Sequence, residues 1–191
     1  MQDKKEIVAS LRSRLLADRF FHSLNVADMA KELAAIYGED KDKAYLAGLV
    51  HDCTKNTPPE TQLEIIKRGG IALSDAEKNN RKLWHAISGS VFIQSEYGIE
   101  DKDIISAVRY HTTGKAEMSL LEKIIYVADF TSAERCYSGV ERIHRLARTD
   151  LDAAVYEGAA FTVEKLSKAG LALHPDTVEC AAYYKSDSIK K

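Results

Sequence analysis

Only three prolines and three cysteines occur in 191 residues, and no stretch stays apolar for the roughly 18 residues that a membrane helix needs. Cys53, Cys136 and Cys180 form an odd, widely spaced set without a Cys-x-x-Cys pair. That argues against a disulfide framework and for a reducing, cytoplasmic home. The N-terminal Met-Gln-Asp-Lys-Lys-Glu lacks the apolar core of a signal peptide. Neither sign of charge dominates: a net charge of −2 and a pI near 6.3 argue against a general nucleic-acid or membrane-surface binder. Period-two alternation is missing as well, so no sheet is expected.

What is present is apolar residues, 45% of the chain, recurring with the 3.6-residue period of helices almost throughout. The pattern predicts an all-α fold with helices near 4–17, 21–37, 41–53, 58–68, 82–97, 101–111, 120–131, 140–148, 151–168 and 175–184. One domain over residues 1–185 with a polar tail over 186–191 accommodates them. Thr57-Pro58-Pro59-Glu60 reads as a Thr N-cap, first-turn proline and capping-box Glu, and Ser119-Leu-Leu-Glu122 as a second capping box. Gly38, Gly69-Gly70, Gly98 and Gly170 are expected helix stops.

Six residues carry the chemistry. His51-Asp52 closes the apolar run Ala44–Val50, and His22, His85, His111 and Asp129 each fall on the apolar stripe of a different helix. A lone histidine on such a stripe is usually a hydrogen-bonded core residue. Five helices that each turn a His or Asp inward are not five accidents. A buried carboxylate without a partner costs several kcal/mol, so it neutralises or finds a cation. Imidazole with carboxylate suits iron, manganese or zinc, whereas magnesium rarely recruits four histidines. Six ligands exceed the need of one hydrolytic metal with an open position, so two metals are expected, bridged by the central Asp52. Cys53 is excluded because it is rotated about 100° from Asp52 around the helix.

Near this set lie groups suited to phosphate. Lys55 follows Asp52 by one turn and is expected to act with Asp52 in catalysis by placing a positive charge on phosphate oxygens. Arg19, Thr112, Thr113, Gly114 and Arg135 are the further candidates for substrate contact. Arg81 and Lys115 are read as solvated surface charges, His144 as solvated, His174 as structural and Trp84 as core or pocket wall.

The segments Arg19-Phe-Phe-His22, Gly48-Leu-Val-His51-Asp52-Cys-Thr-Lys55, His85-x-x-x-Gly89, His111-Thr-Thr-Gly114 and Lys123-Ile-Ile-Tyr-Val-Ala-Asp129 occur in order. This arrangement resembles the HD-domain metallophosphohydrolases, and within them the YqeK-type symmetrical bis(5′-nucleosyl)-tetraphosphatases. The resemblance covers residues 5–170. It implies an HD-domain helical bundle around a di-iron centre, with manganese, cobalt or zinc as alternatives to iron. It also implies hydrolysis of diadenosine tetraphosphate to two ADP. His22, His51, Asp52 and Asp129 would hold one metal, and Asp52, His85 and His111 the other. Two departures from the family stand out. Asp129 is followed by Phe-Thr-Ser-Ala-Glu-Arg135 instead of an acid-proline pair before the arginine, and His85 by Gly89-Ser90 instead of Gly-Ala. Both are expected on the substrate side and not among the ligands.

The expected partners are a dinucleoside polyphosphate and an ADP- or GDP-type product, without nucleic acid or membrane. The apolar helix Leu151–Leu166 either caps the core or forms a homodimer face. Other readings of the site are a nucleotidase, a dNTP hydrolase, a di-iron oxygenase and a non-catalytic nucleotide sensor.

Overall fold

The computed structural model describes residues 2–137 and 139–188, with side chains as far as Lys185, and no strand occurs among them. The helices are α1 (Lys4–Arg14), α2 (Ala17–Tyr37), α3 (Lys41–Val50), α4 (Pro59–Arg68), α5 (Asp75–Lys78), α6 (Trp84–Tyr97), α7 (Lys102–Tyr110), α8 (Leu120–Thr131), α9 (Val140–Ala147), α10 (Leu151–Lys168) and α11 (Pro175–Ser188). A 3₁₀ turn at Arg81–Leu83 leads into α6.

α8 is the axis of the bundle. Leu121, Ile124, Ile125, Tyr126, Val127 and Ala128 are all essentially inaccessible, so the helix is apolar nearly all round. It packs on α2, α3, α7, α9 and α10. Its start is fixed by the expected capping box, in which Ser119 and Glu122 satisfy each other's backbone amides. α2 and α3 lie closest together, because Ala27, Ala30 and Ala34 face Ala44, Ala47 and Gly48. A Cβ placed on Gly48 would sit 2.8 Å from Ala27 Cα. The apolar face of α10 is used inside the chain, against α8, α9 and α11.

The structure departs from the expected boundaries where side chains claim backbone groups. α1 stops at Arg14 and α2 begins at Ala17, because Leu15 and Leu16 are extended and Asn56 Oδ1 accepts the Leu16 amide. α3 ends at Val50, so His51–Asn56 form turns instead of continuing the helix. Thr57 is not the cap of α4. Pro58 occupies that position without a side-chain bond, and Pro59 starts the helix. The short α5, unanticipated, starts from a Ser74–Glu77 capping box. Gly38 and Gly98 close α2 and α6 in the left-handed conformation, as expected. α11 continues to Ser188, into the segment expected as a tail; residues 189–191 lie outside the described ones.

Candidate metal centre and its pocket

Three helices aim their C-terminal ends at one point. His51 is the residue that closes α3, with Asp52 next to it; His111 closes α7; and Asp129 lies in the last turn of α8. Each end carries the partial negative charge of its unpaired carbonyls, which favours a cation. His22 reaches the same point from the second turn of α2, and His85 from the first turn of α6.

Asp52 is the hub and is 2% exposed. Its Oδ1 lies 3.1 Å from His85 Nε2 and 3.4 Å from His111 Nε2. Its Oδ2 lies 3.5 Å from His51 Nε2, 3.9 Å from His22 Nε2 and 2.8 Å from Arg19 Nη1. Burial pushes the Asp52 carboxyl up, but protons on the surrounding imidazoles, His51 first, would hold it well below the usual carboxylate range, a part that a metal ion takes over when the rings are neutral. Asp129 stands 3.0 Å from His22 Nε2. Its carboxyl is likewise held low against burial, by His22 and Arg135. Burial lowers His85 to about 4, so its imidazole is neutral at physiological pH.

The ring orientations suit metal ions. His51 Nδ1 donates to the Gly48 carbonyl at 2.6 Å, and His111 Nδ1 to that of Val108 at 2.8 Å. In a neutral ring that leaves each Nε2 as a lone pair turned toward the Asp52 carboxylate. Acceptors thus face acceptors in a buried space. His22 Nε2, His51 Nε2 and Asp52 Oδ1 have no hydrogen-bond partner among the described residues. Such orphaned groups are rare in a folded protein, and a divalent cation satisfies them together. Ligand atoms of His22, His51 and Asp129 lie within 4.8 Å of one another, as do those of His51, Asp52 and His111. His51 therefore belongs geometrically to both groups.

Other candidates fall unevenly. Lys55 Nζ lies 3.0 Å from His85 Nε2 and 3.8 Å from Asp52 Oδ1. Thr112 Oγ1 lies 3.0 Å from His111 Nε2. Arg135 holds both the side chain and the carbonyl of Asp129. Thr113 and Gly114 do not reach this space. Thr113 is buried, with its hydroxyl unpartnered among the described residues, and Gly114, at φ +63°, packs on Cys180 and Tyr126. Cys53 is buried against the Gly89 carbonyl, and burial pushes its thiol up. Trp84 belongs to the core with Ile66 and Ile87. Lys115 pairs with the buried Glu122, not with solvent alone.

Glu134 was not anticipated from the sequence. It accepts from His22 Nδ1, while Ser132 Oγ and Asn25 Nδ2 donate to its two oxygens at 2.7 and 2.6 Å. Burial raises the Glu134 carboxyl, yet these bonds, His22 first, hold it down to about 2. The departure after Asp129 therefore touches a candidate ligand directly, contrary to the expectation that it lies on the substrate side alone. Gly89-Ser90 is not on that side either: Ser90 is buried and donates to the Ile87 carbonyl. An acidic residue within the departing segment was the one available signal. Glu134→Ala is expected to weaken metal binding about 10–100-fold, the usual effect of removing a carboxylate behind a ligating histidine. The metal-free protein should melt as before, since this side chain is 39% exposed. Competition titration against a chromophoric chelator measures the affinity; no change would mean that Ser132 alone orients His22.

A pocket of about 420 Å³ opens from His111, Asp129 and Arg135. Its outer walls are Phe130, Tyr137 and Phe161, the last two with ring centroids 4.9 Å apart, and Lys165 stands at its edge. The Tyr137 hydroxyl donates to the Phe130 carbonyl, which fixes that wall.

The profile of the HD domain matches residues 19–134, a span holding all six candidate ligands, and the chain belongs to this family. Within it, the chain is 38% identical to the Bacillus subtilis protein named "Bis(5'-nucleosyl)-tetraphosphatase, symmetrical", over 92% of this chain and 94% of that protein. The protein of the same name from Halalkalibacterium halodurans is 36% identical over 88% and 89% of the two chains. A crystal structure from Clostridium acetobutylicum, described as a "predicted HD superfamily hydrolase involved in NAD metabolism", superposes with a TM-score of 0.95. It has 39% identity and covers 98% of this chain and 99% of its own.

Proposed function

We propose that this protein hydrolyses diadenosine tetraphosphate, and related dinucleoside polyphosphates, symmetrically to two ADP. The observation that carries the reading is the convergence of four imidazole Nε2 atoms on the buried Asp52 carboxylate, at the inner end of an aromatic-walled pocket. The names of relatives matched along nearly their whole length support the same substrate. His22, His51, Asp52 and Asp129 would hold one divalent transition metal, and Asp52, His85 and His111 a second, with iron before manganese, cobalt or zinc. When bound, two such ions supply a water acidified toward neutral pH and neutralise phosphate charge.

The chain's own groups do the positioning. Lys55 stands beside Asp52 and His85, where the oxygens of the central phosphates would lie. Arg135 and Thr112 line the way from the centre to the pocket. Phe130, Tyr137 and Phe161 offer flat faces to a nucleobase. A pocket that seats one nucleoside diphosphate sets the cut two phosphates from the sugar, so symmetry of cleavage follows from length. ADP then inhibits by refilling the same place. No helix among the described residues is long and apolar enough to cross a membrane. The free state of Cys53, Cys136 and Cys180 fits a cytoplasmic setting.

Incubating the metal-loaded protein with diadenosine tetraphosphate and resolving the products by chromatography tests the reading. ADP as sole product is expected, with turnover lost in His51→Ala. AMP with ATP would mean that the register of the cut is wrong.

A further inference from the structure

A second opening approaches the candidate centre from the His85 side. This groove, about 520 Å³, is reached past Lys55 and His85 and lies between the Asn56–Pro59 turn and the Arg81–Lys82 turn. Its character differs from that of the aromatic pocket. Three cations line it (Lys55, Arg81 and Lys82) together with the His85 imidazole, and no carboxylate and no Phe, Tyr or Trp ring does so among the described residues. The floor is fixed in advance: the buried Gln62 donates to the carbonyls of Thr54 and Thr57, both at 2.9 Å, and Asn56 is tied to the Leu16 amide. Lys82 lines both openings, and His111 at the one and His85 at the other bring their Nε2 atoms within 3.2 Å, so both openings reach the centre.

We propose that the two halves of the substrate are held in unlike ways: the aromatic pocket takes one nucleoside by its base, and this groove takes the departing nucleoside diphosphate by its phosphates, without reading a base. The proposal rests on the tetraphosphatase reading above. In the reaction, the oxygen of water bonds to the phosphorus of the half in the aromatic pocket. The central P–O bond breaks, the bridging oxygen leaves with its electron pair on the other half as ADP, and the proton of the attacking water passes to solvent. The groove's cations stand where that negative charge appears. With no Phe, Tyr or Trp face to stack on, and with His85 turned to Asp52 and His111, the second nucleoside contributes little to binding.

The test uses the metal-loaded enzyme with two substrates, diadenosine tetraphosphate and adenosine 5′-tetraphosphate, which lacks the second nucleoside. The second is expected to give ADP and pyrophosphate with kcat/KM within about fivefold of the first, since losing a stacked base costs roughly tenfold or more. Arg81→Glu, at an exposed position whose melting temperature should match the wild type, is expected to raise KM for both substrates roughly tenfold. It should leave the ADP inhibition constant unchanged, whereas Phe161→Ala should raise that constant. A wild-type enzyme that ignores adenosine tetraphosphate, or an Arg81→Glu enzyme with unaltered KM, would overturn the proposal. Absence of turnover on both tetraphosphates would instead remove the reading beneath it, and the proposal with it.

Discussion

Asp52→Asn is expected to keep its fold, lose bound metal and drop in phosphohydrolase activity by at least about 10³-fold, because several kcal/mol of transition-state stabilisation go with the metals. The reason lies in the two faces of this carboxylate. Oδ1 turns to His85 and His111, Oδ2 to His51, His22 and Arg19, so one group serves both candidate metal positions. An amide has the same shape but lacks the charge, and only one of its ends accepts. With its oxygen toward Arg19, its NH₂ points at the lone pairs of the facing imidazoles. That satisfies the His85 and His111 side without metal, leaves His51 and His22 facing an oxygen as before, and blocks the position for metal. The metal-free variant should therefore melt close to the metal-free wild type. Wild-type protein should gain about 4 kcal/mol from metal at a thousandfold excess over Kd. For a chain of this size that is roughly 8–16 °C in Tm. Metal analysis, calorimetry and turnover of diadenosine tetraphosphate are the three readouts. Two metals per chain in the variant, with activity within tenfold of wild type, would sink the bridging role.

The candidate ligands were legible because each lies on an apolar stripe, and a stripe is a local property of one helix. His22, for instance, shares its face with Val26, Met29 and Leu33, and all four are buried. Helix ends were legible where a capping side chain is close in sequence, as at Ser119 and Glu122. They were illegible where the deciding contact is remote, as at Leu16, whose amide is taken by Asn56. The bond from His22 to Glu134 spans 112 positions, and no periodicity announces it. The aromatic pocket was invisible for the same reason: Phe130, Tyr137 and Phe161 come from the end of α8, the following loop and α10. Gly114 shows the same limit, since Cys180 from α11 packs on it and no local pattern after His111 announces that contact.

Gly48→Ala is expected to destabilise the protein although alanine is the better helix former. In an exposed helix this change would add up to about 1 kcal/mol of stability. Here the new Cβ would lie 2.8 Å from Ala27 Cα, 3.0 Å from the Ala27 nitrogen and 3.0 Å from the Val26 carbonyl oxygen. All three are backbone atoms of α2, so no side chain can rotate away and α3 must move as a body. Forcing a methyl into a packed interior costs about 1–3 kcal/mol, and backbone that cannot rotate away puts this site at the upper end, about 3 kcal/mol. The net loss is then at least about 2 kcal/mol, or roughly 4–8 °C in Tm. The displacement also carries function with it. Gly48 supplies the carbonyl that holds His51 Nδ1, and His51-Asp52 follows directly from α3. Metal affinity should fall along with stability. Gly38→Ala is the control: its φ of +80° imposes about 1–2 kcal/mol of left-handed strain, with nothing within 4 Å of a new Cβ. That variant should lose stability and keep its metals at wild-type affinity. Equal metal affinity in both variants would show that the α2–α3 contact sets stability alone and does not position the His-Asp pair.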